Sequence, residues 1–336
     1  MFDFRGKNID LVGKMKLWFA ISLLVMLIGF AAWIVRGPNL GIDFKGGSQL
    51  VYRIPEKARP QAGNEAALLA KVNQGLAAAK IEGTRTQIAG GNDLVVYTET
   101  ANTQSAAQAQ QGLVNGAVAK AFGVERITPE GTELVGPVIG DELRRNAIYG
   151  VTFGLILIAL WIYIRYNFAG DGLRYAVAGL VALVHDVLVL LGLSALLQIE
   201  IDGAYIAALL TVLGYSINDS VVIFDRIREN LRLRRKDAFD VVVNDSLLET
   251  MSRSIMTGAT VLIMLFALLM FGGESIYNFT LAMLVGIASG LYSSIFNASM
   301  VLVAWDRWDT KRASQAKNKP SKIEVRENVR TRAAKS

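Results

Sequence analysis

Residues 209–230 read LLTVLGYSINDSVVIFDRIREN, an apolar segment long enough to cross a bilayer that carries Asn218 and Asp219 in its interior. A carboxylate near the centre of a membrane helix costs about 2.5 to 3.5 kcal/mol on insertion scales, so Asp219 is expected to face other helices and mark a functional path. The chemistry open to it is proton uptake and release, which removes its charge and its attraction for a neighbouring cation together. Arg253, in TMSRSIMTG, is the candidate cation, entering the next apolar segment from the same side. It also reads as an interfacial arginine snorkelling toward lipid phosphate.

Helical spacing sets Thr211, Tyr215, Asn218 and Asp219 within an arc of about 100°, extended by Ser216 and Ser220. The neutral members read equally as interhelical hydrogen bonds, worth about 1 kcal/mol each. His185 and Asp186, in the middle of an earlier apolar segment, could relay protons near neutral pH. Neighbouring helical residues point about 100° apart, so these two need not share a path, and structural hydrogen bonding is the other reading. Gly286 and Gly290 form a G-x-x-x-G pair, continued on the same side by Ser293 and Asn297, which predicts close helix packing.

Such residues need a bundle to hold them. Of 336 residues, 52% are hydrophobic and 19% charged, too apolar a mixture for an ordinary soluble domain. Six apolar segments, at residues 17–35, 147–164, 175–197, 204–224, 255–271 and 277–305, predict a polytopic α-helical membrane protein with six transmembrane helices. The first is expected to stay attached, because no small-residue cleavage site follows it. There is no cysteine and one histidine, so no thiolate or histidine-built metal site is expected. The sequence has no G-x-S-x-G, H-E-x-x-H or nucleotide fingerprint, so neither enzymatic catalysis nor a cofactor is expected.

Charge sets the orientation. Lysines and arginines gather at residues 5–16, at Arg165 and Arg174, at 226–236 and in the C-terminal tail, whereas the connections 198–203 and 272–276 hold none. By the positive-inside rule both termini are cytoplasmic, and the net charge of +6 reflects topology rather than nucleic-acid binding. This orientation sets Asp219 about 5 to 10 Å to the cytoplasmic side of its span's centre. Residues 226–252 have helical character and could lie along the membrane surface. The tail after Trp308 is expected to be disordered, touching anionic lipid or ribosomal RNA, or simply fixing topology.

Between the first two spans the composition turns polar. Strands are expected at 48–54, 84–89, 94–98 and 124–135 and helices at 65–80 and 105–122, with a hairpin turn at Gly90, Gly91, Asn92 and Asp93. The order βαββαβ predicts an α+β ferredoxin-like domain outside the cytoplasm. The divisions are a cytoplasmic N-terminus (1–16), the first helix (17–35), the extracytoplasmic domain (36–145), a five-helix bundle (146–305) and a basic cytoplasmic tail (306–336). The glycine-rich GIDFKGG at 41–47 lacks a Walker Lys-Ser/Thr and reads as a tight turn feeding the first strand.

LGIDFKGGSQL, LVGPVIGDELRRNAI, ALVHDVLVLLG, IAALLTVLGYSINDSVVIFDRIREN, TMSRSIMTG and GIASGLYSSIFNASMVL occur in order along nearly the whole chain except the tail. In these motifs the chain resembles the smaller subunit type of the bacterial SecD/SecF translocation family, within the resistance-nodulation-division superfamily. The resemblance implies a protein of the cell inner membrane that pairs with SecD beside the SecYEG channel. It also implies use of the proton-motive force in late steps of preprotein export, with protons as the coupling ion and YajC and YidC as further partners. Asp219 would be the family's proton-linked aspartate and Arg253 its functional arginine, with Asn218 beside them. Asp43, Gly46 and Gly47 match its D-x-x-G-G turn, with Lys45 in place of a small or hydroxyl residue. The superfamily also allows a proton-coupled small-molecule antiporter, and a non-transporting scaffold of the translocon is the third reading.

Overall fold

In a lipid interior a free backbone N–H or C=O has no partner, so each apolar segment must satisfy its own groups as a helix. The computed structural model describes residues 4, 9–60, 65–81, 84–89, 92–98, 104–167, 170–273 and 276–317. Helix α1 (Met15–Arg36) leads through a one-turn helix α2 (Ile42–Lys45) into an α+β region. That region comprises β1 (Gly47–Arg53), α3 (Glu65–Ala78), β2 (Arg85–Ala89), β3 (Asp93–Thr98), α4 (Gln104–Phe122) and β4 (Gly131–Val135). The chain then returns through α5 (Pro137–Asn167), α6 (Gly172–Leu197), α7 (Gly203–Leu233) and α8 (Phe239–Phe271). The last span runs through α9 (Tyr277–Tyr292), a π-helical stretch (Ser293–Ala298) and α10 (Ser299–Lys317). Among the described residues six helices are long and apolar enough to cross a membrane, so the chain is a polytopic helical membrane protein.

Helices α6, α7 and α9 form the centre of the bundle, burying Leu183, Leu190, Tyr205, Leu213, Phe224 and Ile287. Helix α5 packs on α6 yet turns Ile148, Phe153, Leu157 and Trp161 outward, as a lipid-facing helix does. The α+β region has a separate core of Leu50, Tyr52, Leu76, Leu94, Val96, Val114 and Val118. Its sheet has the order β2-β3-β1-β4, every neighbouring pair antiparallel, with Leu50 of β1 opposite Val96 of β3 and Thr132 of β4.

Four boundaries differ from expectation. Strand β4 begins only at Gly131, because Pro129 has no N–H to give a ladder. Helix α5 begins at Pro137, ahead of the apolar segment at 147, proline being well suited to a first helical position. Residues 226–252 do not lie flat as a separate surface segment: α7 and α8 continue through them to a short turn at 234–238. Their polar groups pair across the two helices, Asn230 donating to Ser246 at 2.9 Å, Arg234 bridging to Asp245 at 2.6 Å and Arg226 bridging to Glu249. Helix α10 carries the first part of the tail to Lys317. Asn92 and Asp93 sit at the start of β3 as expected of the hairpin. Gly90 and Gly91 lie outside the described residues, as do Arg5, Lys7 and the tail from 318.

Candidate functional site

Helix α7 is the axis of the site. Its N-terminus is capped by Asp202, whose side chain accepts from the Tyr205 N–H at 2.7 Å, and it runs unbroken for 31 residues. Sixteen residues in, about 24 Å along the axis, Asp219 turns toward α8 and is buried. Its Oδ1 accepts from Ser254 Oγ at 2.6 Å, while Oδ2, equally shielded, has no hydrogen-bond partner among the described residues. Arg253, next to Ser254, faces outward from the bundle. It forms no ion pair with Asp219 among the described residues. Asn218 is also exposed.

Asp186 on α6 stands in a different environment. Its Oδ2 accepts from Ser216 Oγ of α7 and from Ser293 Oγ of the π-helical stretch, both at 2.7 Å. Its Oδ1 accepts from Ser289 Oγ of α9 at 2.8 Å and lies 3.2 Å from His185 Nδ1. Three serine hydroxyls from three helical segments, together with the ring of the adjacent His185, therefore converge on one carboxylate. The seam continues as Ser220 donates to Ser294 at 3.0 Å and Ser294 to the Ser216 carbonyl at 2.9 Å.

Glycine makes the seam close. A Cβ on Gly286 would stand 2.5 Å from Val212 Cγ2, and one on Gly290 would stand 3.0 Å from Ser216 Cβ. Asn297 ties the other side, accepting from Ser22 of α1 at 2.9 Å. His185 lines a cavity of about 570 Å³ between α1 and α6 with Phe19, Ser22 and Asn297, and its buried Nε2 has no partner among the described residues. Thr211 is exposed and bonds back to the Ala207 carbonyl at 2.7 Å. Tyr215 buries a hydroxyl that has no partner among the described residues. The polar face of α7 thus divides: Ser216 and Ser220 turn to the seam, Asp219 to α8, and Thr211 and Asn218 outward.

A third cluster joins the bundle to the α+β region. Asp43 Oδ2 accepts from the Gly203 N–H at 2.8 Å, at the first residue of α7. Leu40 and Ile201 form a parallel bridge, the Gly41 N–H donating to the Ile201 carbonyl at 2.9 Å and the Ile201 N–H to the Asn39 carbonyl at 2.8 Å. Arg85 of β2 bridges to Glu200 at 2.9 Å and donates to Asn39 Oδ1 at 2.9 Å. Gly46 and Gly47 both have positive φ, and a Cβ on Gly47 would meet the Thr98 carbonyl at 2.9 Å, so the turn needs its glycines. Burial holds the Glu200 carboxyl above its ordinary range against the opposing pull of Arg85, and burial raises Asp202 as well, its backbone hydrogen bonds opposing.

Ser254, Ser289, Arg85 and Glu200 were not legible as site residues. Ser289 lies four before Ser293 on the small-residue face, a spacing that marks it as a seam member. Nothing local in the sequence joins Arg85 to Glu200, 115 positions apart.

Two family descriptions match this chain: "Protein export membrane protein SecD/SecF, C-terminal" over residues 116–308 and "SecD/SecF GG Motif" over residues 31–54. The protein translocase subunit SecF of Thermobaculum terrenum is 36% identical over 90% of this chain and 95% of its own. That of Alicyclobacillus acidocaldarius is 36% identical over 91% and 96%. The crystal structure of SecDF from Thermus thermophilus, described as a translocon-associated membrane protein, superposes with a TM-score of 0.76 at 32% identity. It covers 91% of this chain, which spans only 40% of that longer protein. The chain belongs to the SecD/SecF family of protein export membrane proteins, alongside its SecF subunits.

Proposed function

We propose that this chain is an accessory subunit of the Sec preprotein translocase which, with a SecD chain, uses the proton-motive force to promote late steps of protein export across the bacterial inner membrane. The observation that carries it is the buried Oδ2 of Asp219, an acceptor with no hydrogen-bond partner among the described residues, in a place where that is expensive. A proton taken up there cancels the charge and the pull between Asp219 and Arg253, and α7 and α8 repack. Each proton crossing supplies about 2.3 kcal/mol per 100 mV, so a few bias a two-state motion of the α+β domain against the emerging preprotein. The coupling ion is the proton; no cofactor or catalytic group takes part.

Asn218 and Arg253, exposed beside the site, face the partner, and the likeness to a structure named SecDF supports SecD as that partner. Asp186, Ser216 and His185 hold the seam past which α7 moves, with Tyr215 and Thr211 on the outer half of the same helix. Both termini are cytoplasmic and the α+β domain is outside, where its strand order supports a ferredoxin-like sandwich. SecYEG, the preprotein, YajC, YidC and anionic lipid are the remaining partners.

The test is a proton-gradient-dependent export assay in vesicles holding SecYEG, SecD and this chain. Asp219→Asn should abolish the gradient-dependent stimulation while the complex stays assembled, and unchanged stimulation refutes proton coupling at this residue. Full export with both Asp219→Asn and Arg253→Gln would favour a scaffold instead. An apolar cavity of about 800 Å³ between α1, α5 and α6 favours a second reading, a proton-coupled small-molecule antiporter. Proton release driven by an apolar cation, in vesicles lacking the channel, would support it.

A further inference from the structure

Helix α7 connects two places that the proposed coupling must join. Asp219 lies in its interior, and its first residue, Gly203, is bonded to the turn that opens the α+β region. A helix of this length moves as a stiff body, so a shift or rotation at Asp219 is felt at Gly203 about 24 Å away. Asp43 receives that movement at its carboxylate. Four residues later the chain enters β1, which pairs with β3 on one side and β4 on the other, so the turn holds the sheet by its middle. Phe44, between them, is buried in the core of the helical bundle rather than in that of the α+β region. The turn therefore belongs mechanically to the helices although it introduces the sheet.

A second attachment lies at the sheet's edge. Arg85 of β2 reaches Glu200 in the loop just before α7, and the same arginine holds Asn39 at the end of the first span. The α6–α7 connection is thus held at Glu200 by Arg85 of the sheet, and at Ile201 and Gly203 by the turn that leads into the sheet. A single point would act as a swivel; two points, one central and one at the edge, transmit rotation as well as displacement.

We propose that Asp43 and the Arg85–Glu200 pair are positioning residues that transmit movement of α7 to the external sheet. This rests on the proton-coupled reading given above. The sequence has no cysteine, so spin labels on two introduced cysteines, one in β2 and one at the outer end of α7, report the distance between the units without background from this chain. In the complex with SecD and SecYEG, Asp43→Ala should reduce proton-dependent export stimulation roughly three- to tenfold. It should also broaden the label distance distribution. Asp43→Asn keeps an oxygen for the Gly203 N–H and should restore both. Arg85→Glu and Glu200→Arg should each reduce stimulation, and the double exchange should recover it. Stimulation and label distances unchanged in Asp43→Ala, or a double exchange no better than either single variant, would overturn the proposal. Asp219→Asn in the same assay separates the two ideas: if it abolishes stimulation while Asp43→Ala does not, the transmission route fails and the proton site stands.

Discussion

Asp186 and Asp219 are both carboxylates buried in the same helical bundle, and they differ in how many donors surround them. Asp186 meets Ser216, Ser289, Ser293 and His185, whereas Asp219 meets Ser254 alone among the described residues. A carboxylate offers about four acceptor positions. A proton arriving at Asp186 has to displace a donor; one arriving at Asp219 finds an unoccupied oxygen. Residue type and burial do not separate a structural tie from a switch. On the proposed reading, the serines that neighbouring helices deliver do.

The comparison breaks hardest at Asp186. Asp186→Leu leaves three hydroxyls and an imidazole nitrogen without their acceptor in a sealed seam, at a cost of about 3 to 5 kcal/mol. Unfolding from mixed micelles by increasing dodecyl sulfate should show a large drop in midpoint, and wild-type resistance would show that the seam does not hold the bundle. Gly290→Leu forces side-chain atoms into Ser216 and should cost about 1 to 3 kcal/mol by the same measurement. A neutral result would mean the helices separate more easily than their contacts indicate.

Smaller changes sharpen the contrast. Ser254→Ala removes the hydroxyl donor to Asp219, about 1 kcal/mol of stability, and should change the pH profile of export stimulation without loss of assembly. Ser289→Ala, which leaves Asp186 two serines and the His185 ring, should leave that profile unchanged. Glu200→Gln is the mildest. Burial raises the Glu200 carboxyl, so its favourable contribution to stability is fully present below the ordinary carboxylate range and is lost as pH rises through the raised value. The glutamine variant should therefore unfold no more easily than wild type at neutral pH and show a flatter pH dependence, and a marked loss at neutral pH would contradict that sign.

Much of this was legible in the sequence because the bilayer allows so few solutions. Apolar length alone marked the six spans, and the turn residues at 90–93 marked the hairpin strands on either side. Gly286 and Gly290 carried their packing role openly, since small residues four apart have little other use in lipid. Where helices leave the lipid, polarity no longer separates a helix that runs straight on from one that lies along the surface, so residues 226–252 show their helical character but not their direction. The site was legible residue by residue but not as a geometry. Thr211, Tyr215, Ser216, Asn218 and Asp219 share an arc on paper, yet three neighbours divide it among a seam, a second helix and the outer surface. Arg85 and Glu200 meet only because the fold brings a sheet edge onto a helix loop.

The most direct measurement is acid-minus-neutral difference infrared spectroscopy of the assembled complex, reading the carbonyl band of a carboxylic acid shielded from water. A titrating Asp219 beside a saturated Asp186 predicts a band that persists in Asp186→Asn and vanishes in Asp219→Asn. A band that survives in Asp219→Asn and disappears in Asp186→Asn would contradict that assignment and move the proton to the seam.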